Sequence, residues 1–237
     1  MQEQWREREP PMTDVQALFE RIAPLYDRLN DRLSWGLHHV WKQMAVDWLH
    51  LEAGAAALDL CCGTGDLSRL LARRVGRHGQ VIGLDFAAAP LAIARQRSQS
   101  YPQIQWVQGD ALAVPYNDET FAAITMGYGL RNVGDIPRAL QEMYRLLQVG
   151  GRMAILEFSH PTHPALAAFQ AWYLQQWVVP TARNYDLAQE YDYLWPSIQA
   201  FPQPTTLCRL IQAAGFTDIR HYPLLGGLMA ITIGQKG

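Results

Sequence analysis

From residue 56 onward the chain predicts an α/β fold, a mostly parallel, doubly wound sheet with helices on both faces. Three observations predict it. Short apolar runs alternate with helical patterns, which is how βαβ units read in sequence. The first run ends in an acid and a glycine turn, "LDLCCGTGDL" (58–67), at the edge of the sheet where such folds hold ligands. The last two runs are separated only by "LGG" (225–227), so they return antiparallel at the edge.

The elements follow in order. "AALDL" (56–60) precedes the helix "DLSRLLARRV" (66–75), and "QVIGLDF" (80–86) precedes "AAAPLAIARQRS" (87–98). "IQWVQGD" (104–110) leads into a loop of Pro, Asn and Asp; "FAAITMGYG" (121–129) leads into "DIPRALQEMYRLL" (135–147) and then "GRMAILEF" (151–158). Right-handed crossovers place the helices over both sheet faces. A helix, "PTTLCRLIQAAGF" (204–216), and the strands "TDIRHYPL" (217–224) and "LMAITIG" (228–234) close the order. Residues 1–12 are expected to be a disordered tail and residues 13–237 a single domain. That domain divides into a helical lid (13–50), a ligand-binding core (51–159), an aromatic-rich insertion on the substrate side (160–202), and the C-terminal helix with its edge strands (203–237).

Composition narrows the function classes. A formal net charge of −2 with 18% charged residues leaves no basic footprint for nucleic acid, and no basic run suggests a polybasic anchor. Three cysteines, Cys61, Cys62 and Cys208, lack paired spacing, so a reducing compartment and no bound metal are expected. "MQEQWREREPPM" reads as neither a secretory signal nor a transit peptide. The segment from Phe158 to Ala182 has no Asp, Glu, Lys or Arg, but three prolines, three glutamines and two histidines argue against a spanning helix. A cytoplasmic protein is expected, with peripheral contact at a membrane and a homo-oligomer both left open.

The loop after the first strand says what kind of ligand to expect. Asp59 ends the strand, and Gly63 and Gly65 allow a tight turn and close backbone approach. The third glycine of a dinucleotide fingerprint is replaced by Ser68, and Asp66 puts an anion where a pyrophosphate would sit. An acidic loop suits a ligand without phosphate, and one that carries positive charge. Asp85, at the end of the second strand, is placed to accept two ribose hydroxyls. Asp110 and the amide of Ala111, after the third strand, are placed to read an adenine edge, with a simple loop-capping carboxylate as the alternative.

This layout resembles the class I S-adenosylmethionine methyltransferases, with a seven-stranded sheet, an antiparallel last strand and an N-terminal helical lid. Two further stretches resemble the ubiquinone/menaquinone biosynthesis C-methyltransferases (UbiE/MenG type). In "YDRLNDRLSWGLHHVW" (26–41), Tyr26, Asp27, Asn30, Ser34, His38 and Trp41 match that family's first signature, with Leu29 where Met is usual. In "RLLQVGGRMAILEFS" (145–159), Arg145, Gly150, Gly151, Glu157 and Ser159 match the second, with Leu146 and Gln148 where Val and Lys are typical. The match runs from about Phe19 to Lys236, and "LDLCCGTGDL", "GYGLRNV" and "VVPTARNYDLAQEYDYL" look more like the demethylphylloquinone (2-phytyl-1,4-naphthoquinone) branch than the ubiquinone branch.

The resemblance implies S-adenosyl-L-methionine as cofactor, held by Thr64, Asp85, Asp110, Ala111 and Gly127, the last where other members have Ser. It implies C-methylation of a prenylated naphthoquinol, demethylphylloquinol to phylloquinol. A demethylmenaquinol or ubiquinone-precursor methyltransferase, or a non-catalytic cofactor-binding subunit, stays open. Such a reaction needs a developing phenolate stabilised and a ring proton removed. "GYGLRN" (127–132) brings Arg131 and Asn132 to the end of the fourth strand. Arg131 stays protonated, so it is expected to hold an oxyanion or polarise a water that Asn132 orients. The structural alternative pairs Arg131 with Asp135 or Glu157 and uses Asn132 as a helix cap. Tyr26 and His38 are further catalytic candidates, with lid packing as their alternative. Leu166, Phe169, Tyr173 and Trp177 share a helical face that either packs on the core, lines a groove for an isoprenoid tail, or dips into a membrane interface.

Overall fold

Seven strands hydrogen-bond into one sheet: β1 (Ala56–Leu60), β2 (Gln80–Asp85), β3 (Ile104–Gln108), β4 (Phe121–Gly127), β5 (Leu147–Phe158), β6 (Phe216–Leu224) and β7 (Met229–Lys236). This computed structural model describes residue 31, residues 34–178, residue 180 and residues 193–237. The tail, Tyr26, most of the lid and residues 181–192 of the insertion lie outside the described residues. Across the sheet the order is β3-β2-β1-β4-β5-β7-β6. The first five strands in that order run parallel, and β7 runs antiparallel to both β5 and β6. Strand order reverses between β1 and β4, which opens a crevice beyond their carboxyl ends.

The helices are α1 (Leu37–Asp47), α2 (Asp66–Val75), α3 (Ala88–Arg97), α4 (Ile136–Leu146), α5 (Pro164–Tyr173), α6 (Leu194–Ala200) and α7 (Pro204–Ala213). Alternation along the strands builds two cores, one on each face. Leu58 and Leu60 of β1 meet Ile124, Met126, Leu140, Met143 and Ile211 on the side covered by α4 and α7. Ala57 turns to the other side, with Ala123, Leu156, Leu71, Val75 and Val46 under α1 and α2. The buried face of α1 is His38, Trp41, Lys42, Ala45 and Val46, a helical stripe that includes two polar side chains.

Two elements differ from the sequence expectation. β5 begins at Leu147, which pairs with Phe121, and a bulge then carries the register on to Arg152 opposite Ala123. The strand therefore starts four residues before the run that announced it. In α5 the core-facing stripe is not Leu166, Phe169, Tyr173 and Trp177. The buried side chains are Gln170 and then Leu174 and Val178, in a π-helical turn (Leu174–Val178). Gln170 Nε2 donates to the carbonyls of Ser159 and Leu228, so an amide rather than an aromatic ties α5 to the sheet. Phe169, Trp172 and Trp177 are exposed.

Candidate active site

The floor of the crevice is Asp59, fully buried at the end of β1. Its carboxylate accepts Ser68 Oγ at 2.6 Å and Thr125 Oγ1 at 2.8 Å, joining β1 to α2 and β4. Ser68, which replaces the third glycine of the dinucleotide pattern, thus has a structural reason the spacing alone did not reveal. Burial raises the Asp59 carboxyl to about 6, against the pull of those two hydroxyls.

From this floor the loop rises in a chain of amides. Cys62 N–H bonds Leu84 O, Gly63 N–H bonds Asp85 Oδ2 at 2.8 Å, and Gly65 N–H bonds Cys62 O. Gly65 sits at φ +82, in the left-handed region, and a Cβ there would run into the indole of Trp106. Its place is set by that close approach, and it does not line the crevice. Burial pushes the thiols of Cys61 and Cys62 well above the ordinary value, so neither is a thiolate nucleophile.

At the β2 end, Asp85 accepts Gly63 N–H on one oxygen and Ala87 N–H at 3.0 Å on the other. After β3, Asp110 accepts Leu112 N–H at 2.8 Å, beside the amide of Ala111. Asp59, Gly63, Thr64, Asp85, Asp110, Ala111, Gly127 and Asn132 all line one cleft with about 1140 Å³ of empty space, its mouth included. Of the described candidates, Gly65, Arg131 and His38 do not line it.

The β4 end is built differently. Arg131 Nη1 donates to Glu157 Oε1 at 2.6 Å and to Tyr128 O at 2.7 Å, and the Arg131 amide reaches Glu157 Oε2. Both partners of this ion pair are buried, and the guanidinium lies 5.2 Å from the Phe158 ring centroid. This is the Glu157 pairing that the sequence left open as an alternative. Asp135, not Asn132, caps α4 by accepting Arg138 N–H. Asn132 instead donates Nδ2 to Tyr128 O at 3.1 Å, while its Oδ1 is buried and without a hydrogen-bond partner. That oxygen belongs to a residue of the cleft wall.

α1 contributes the remaining polar groups. His38 Nδ1 lies 2.7 Å from Ser34 Oγ, and burial, with Lys42 and His39 nearby, lowers its pKa to about 4. At pH 7 it is neutral and a weak base. Asp31, His38 and His39 bring metal-capable atoms within 4.8 Å of one another, outside the cleft, a grouping the sequence did not single out. Lys42, one turn beyond His38, lines the cleft and donates to Asp66 Oδ2 at 2.6 Å, and Arg69 closes on the other oxygen of Asp66. Burial works to raise the Asp66 carboxyl, but the charges of Lys42 and Arg69 overcome it and hold it below the usual carboxylate value. The acid that read as a bare anion facing the ligand is therefore neutralised, and the local charge is positive. Lys42 was missed by sequence reasoning, yet the signal was there: it is a lysine on the apolar stripe of α1.

S-adenosylmethionine fits this donor set. The wall at the β2 and β3 ends offers carboxylates, backbone and apolar surface from Leu84 to Pro90 and Gly109 to Leu112, with no basic side chain for a phosphate among the described residues. The one lysine of the described wall stands at the other end.

Among solved structures, a SAM-dependent methyltransferase from Thermotoga maritima has a TM-score of 0.66 at 19% identity, covering 94% of this chain and 99% of that one. Another from Aquifex aeolicus has a TM-score of 0.62 at 14% identity, covering 83% and 89%. At those identities they speak to the fold. A 2-phytyl-1,4-naphtoquinone methyltransferase of Thermosynechococcus vestitus is 78% identical over 225 residues, covering 95% of this chain and 100% of that one. A 2-phytyl-1,4-beta-naphthoquinone methyltransferase, chloroplastic, of Arabidopsis thaliana is 46% identical over 224 residues, covering 92% and 86%. The family model described as the ubiE/COQ5 methyltransferase family matches residues 5–236. With a match of that extent laid over this strand order and this cleft, the chain belongs to the ubiE/COQ5 methyltransferase family.

Proposed function

We propose that the protein methylates the ring of a 2-phytyl-1,4-naphthoquinol, using S-adenosylmethionine as donor. The observation that carries this reading is one cleft lined by the strand-end carboxylates Asp85 and Asp110 and, from the β4 side, by Asn132, whose Oδ1 has no hydrogen-bond partner. Thr64, Gly63, Asp85, Asp110 and Ala111 hold the donor. When bound, S-adenosylmethionine supplies an electrophilic methyl carbon and leaves as a neutral thioether.

The chain's own task is to make a ring carbon nucleophilic and to keep it in place. An oxidised quinone ring is electron-poor, so the acceptor is the quinol. Once the Asn132 amide turns into the cleft it lines, its Oδ1, an acceptor only, takes a hydrogen bond from a quinol hydroxyl or from a water beside it, which raises electron density on the ring. The amide is no base, so the ring proton passes to water. Arg131 acts as a positioning residue. Its pairs with Glu157 and Tyr128 O hold the turn that also accepts Asn132 Nδ2. Such preorganisation of a single polar contact is worth ~10²-fold or more in turnover.

The phytyl tail calls for an apolar surface, since each buried CH₂ is worth about 0.8 kcal/mol. Among the described residues no helix is long and apolar enough to cross a membrane. Phe169, Trp172 and Trp177 are exposed on an uncharged segment, and exposed Leu225 sits on the turn whose Gly226 abuts Leu166. This face docks peripherally on a bilayer and meets the tail there. Flotation with substrate-loaded liposomes should carry the wild type upward and leave a Trp172→Ser/Trp177→Ser variant at the bottom; equal flotation defeats the docking reading.

Labelled S-adenosylmethionine offered with chemically reduced 2-phytyl-1,4-naphthoquinone tests the reaction itself. Label is expected in the organic phase, and not when the quinone is left oxidised. Bound donor with no transfer to phytyl or polyprenyl quinol would favour a non-catalytic, cofactor-binding role, and faster transfer to a polyprenyl naphthoquinol would move the substrate to the menaquinone branch.

A further inference from the structure

We infer that Lys42 is the recognition site for the α-carboxylate of the donor's amino-acid end, with Asp66 and Arg69 holding it in place; this rests on the methyl-donor reading above. A lysine at 6% exposure needs a reason, because removing an ammonium from water is costly unless it is paired. Asp66 takes one of its three ammonium hydrogens. Asp66 is shared, however. Arg69 pairs with its other oxygen and also donates to Thr64 O, so two cations face one carboxylate and the trio keeps one positive charge. That surplus lies at the amino end of α2, where the helix adds its own partial positive charge.

The strand order says which part of the donor meets it. Asp110 and Asp85 stand at the ends of β3 and β2, so the adenosine lies over that side of the sheet. The amino-acid end then falls toward β1 and β4, the side where Lys42 lines the cleft with Thr64, Leu67 and Gly127. Lys42 Nζ also lies 6.0 Å from the Tyr128 ring centroid, which keeps it at the β4 side. Among the described residues of the wall there is no other lysine or arginine for a carboxylate to meet. Lys42 comes from α1, so donor binding also clasps that helix to the sheet.

Calorimetry with two nucleosides that differ only in this group tests the assignment: S-adenosylhomocysteine and its decarboxylated analogue, S-adenosyl-3-thiopropylamine. Lys42→Met should weaken S-adenosylhomocysteine by ~10- to 100-fold and leave the amine within about twofold. Equal loss for both ligands, or loss for neither, overturns it. A thermal melt checks that the variant folds; if it does not, Lys42→Gln, which keeps one N–H for Asp66 without the charge, gives the same comparison. Wild-type protein that binds neither nucleoside would instead sink the methyl-donor reading on which this rests.

Discussion

The two ends of the cleft are built by opposite means. At the β2 and β3 ends, the carboxylates of Asp85 and Asp110 are oriented by amides close by: Ala87 and Leu112 are each two residues on, and Gly63 is the neighbouring loop. At the β1 and β4 ends, nearly everything depends on distant partners. Glu157 reaches Arg131 across from β5, Lys42 comes from α1, and Leu67 comes from α2. The first end is written in short motifs; the second exists only once the sheet has closed. On the proposed reading, the donor's adenosine would meet a preset surface and the reacting end an assembled one.

The largest break in that contrast should come from Glu157→Ala. It leaves the buried Arg131 guanidinium without its carboxylate and should cost about 3–5 kcal/mol in urea unfolding. A loss under about 1 kcal/mol would mean that the ion pair does not hold the acceptor end. Next in size is a pH effect at Asp59, beneath both ends. The unfolded carboxyl releases its proton near 3.8, whereas burial keeps the native one protonated until about 6. In that window the native state binds more protons, so its contribution to stability is full below pH 4 and falls as pH rises to 6. Relative to Asp59→Asn, the wild type should lose on the order of 3 kcal/mol across that range, and parallel profiles for the two proteins would refute the assignment.

Asp85→Ala tests the preset end directly. Removing an acceptor for Gly63 and Ala87 as well as for the ribose should weaken S-adenosylhomocysteine by ~100-fold, read by calorimetry. Asn132→Ala tests the assembled end: turnover on the quinol should fall by ~100-fold, with nucleoside affinity within about threefold. Were affinity to fall as far as turnover, Asn132 would belong to the donor's site and not the acceptor's. Gly127→Ser should do least. A Cβ there meets only the Leu67 side chain, Cδ1 at 2.7 Å and Cγ at 3.8 Å, and its far end can move aside. Donor affinity within about threefold of wild type is expected, and the added hydroxyl would then be tolerated.

Legibility in the sequence followed the same division. The doubly wound sheet, its antiparallel edge and the glycine loop could be read from alternation and spacing, because those are local signals. Asp59, Asp85 and Asp110 were found as strand-end acids. What Ser68 does could not be read, since its partner is nine residues back and its hydrogen bond appears only after β1 and α2 pack. Glu157 was legible as one of two candidate partners for Arg131, and geometry chose it over Asp135, which caps α4. The face of α5 was misjudged between core and surface because aromatic spacing cannot reveal that a glutamine supplies the anchor. Lys42 went unremarked although it falls on the apolar stripe of α1; its partner Asp66 is 24 residues on, and only the packing of α1 on α2 brings the two together.

Trp106 carries a consequence beyond packing. Its indole covers Gly65 of the donor loop and also Gly83 of β2, where a Cβ would meet it at 2.5 Å. One ring on the outermost parallel strand thereby acts as a keystone for the loop. Fraying of β3 and loosening of the loop become a single motion, and a bound nucleoside should slow amide hydrogen exchange along the whole of Ile104–Gln108, back to the end of the strand away from the cleft.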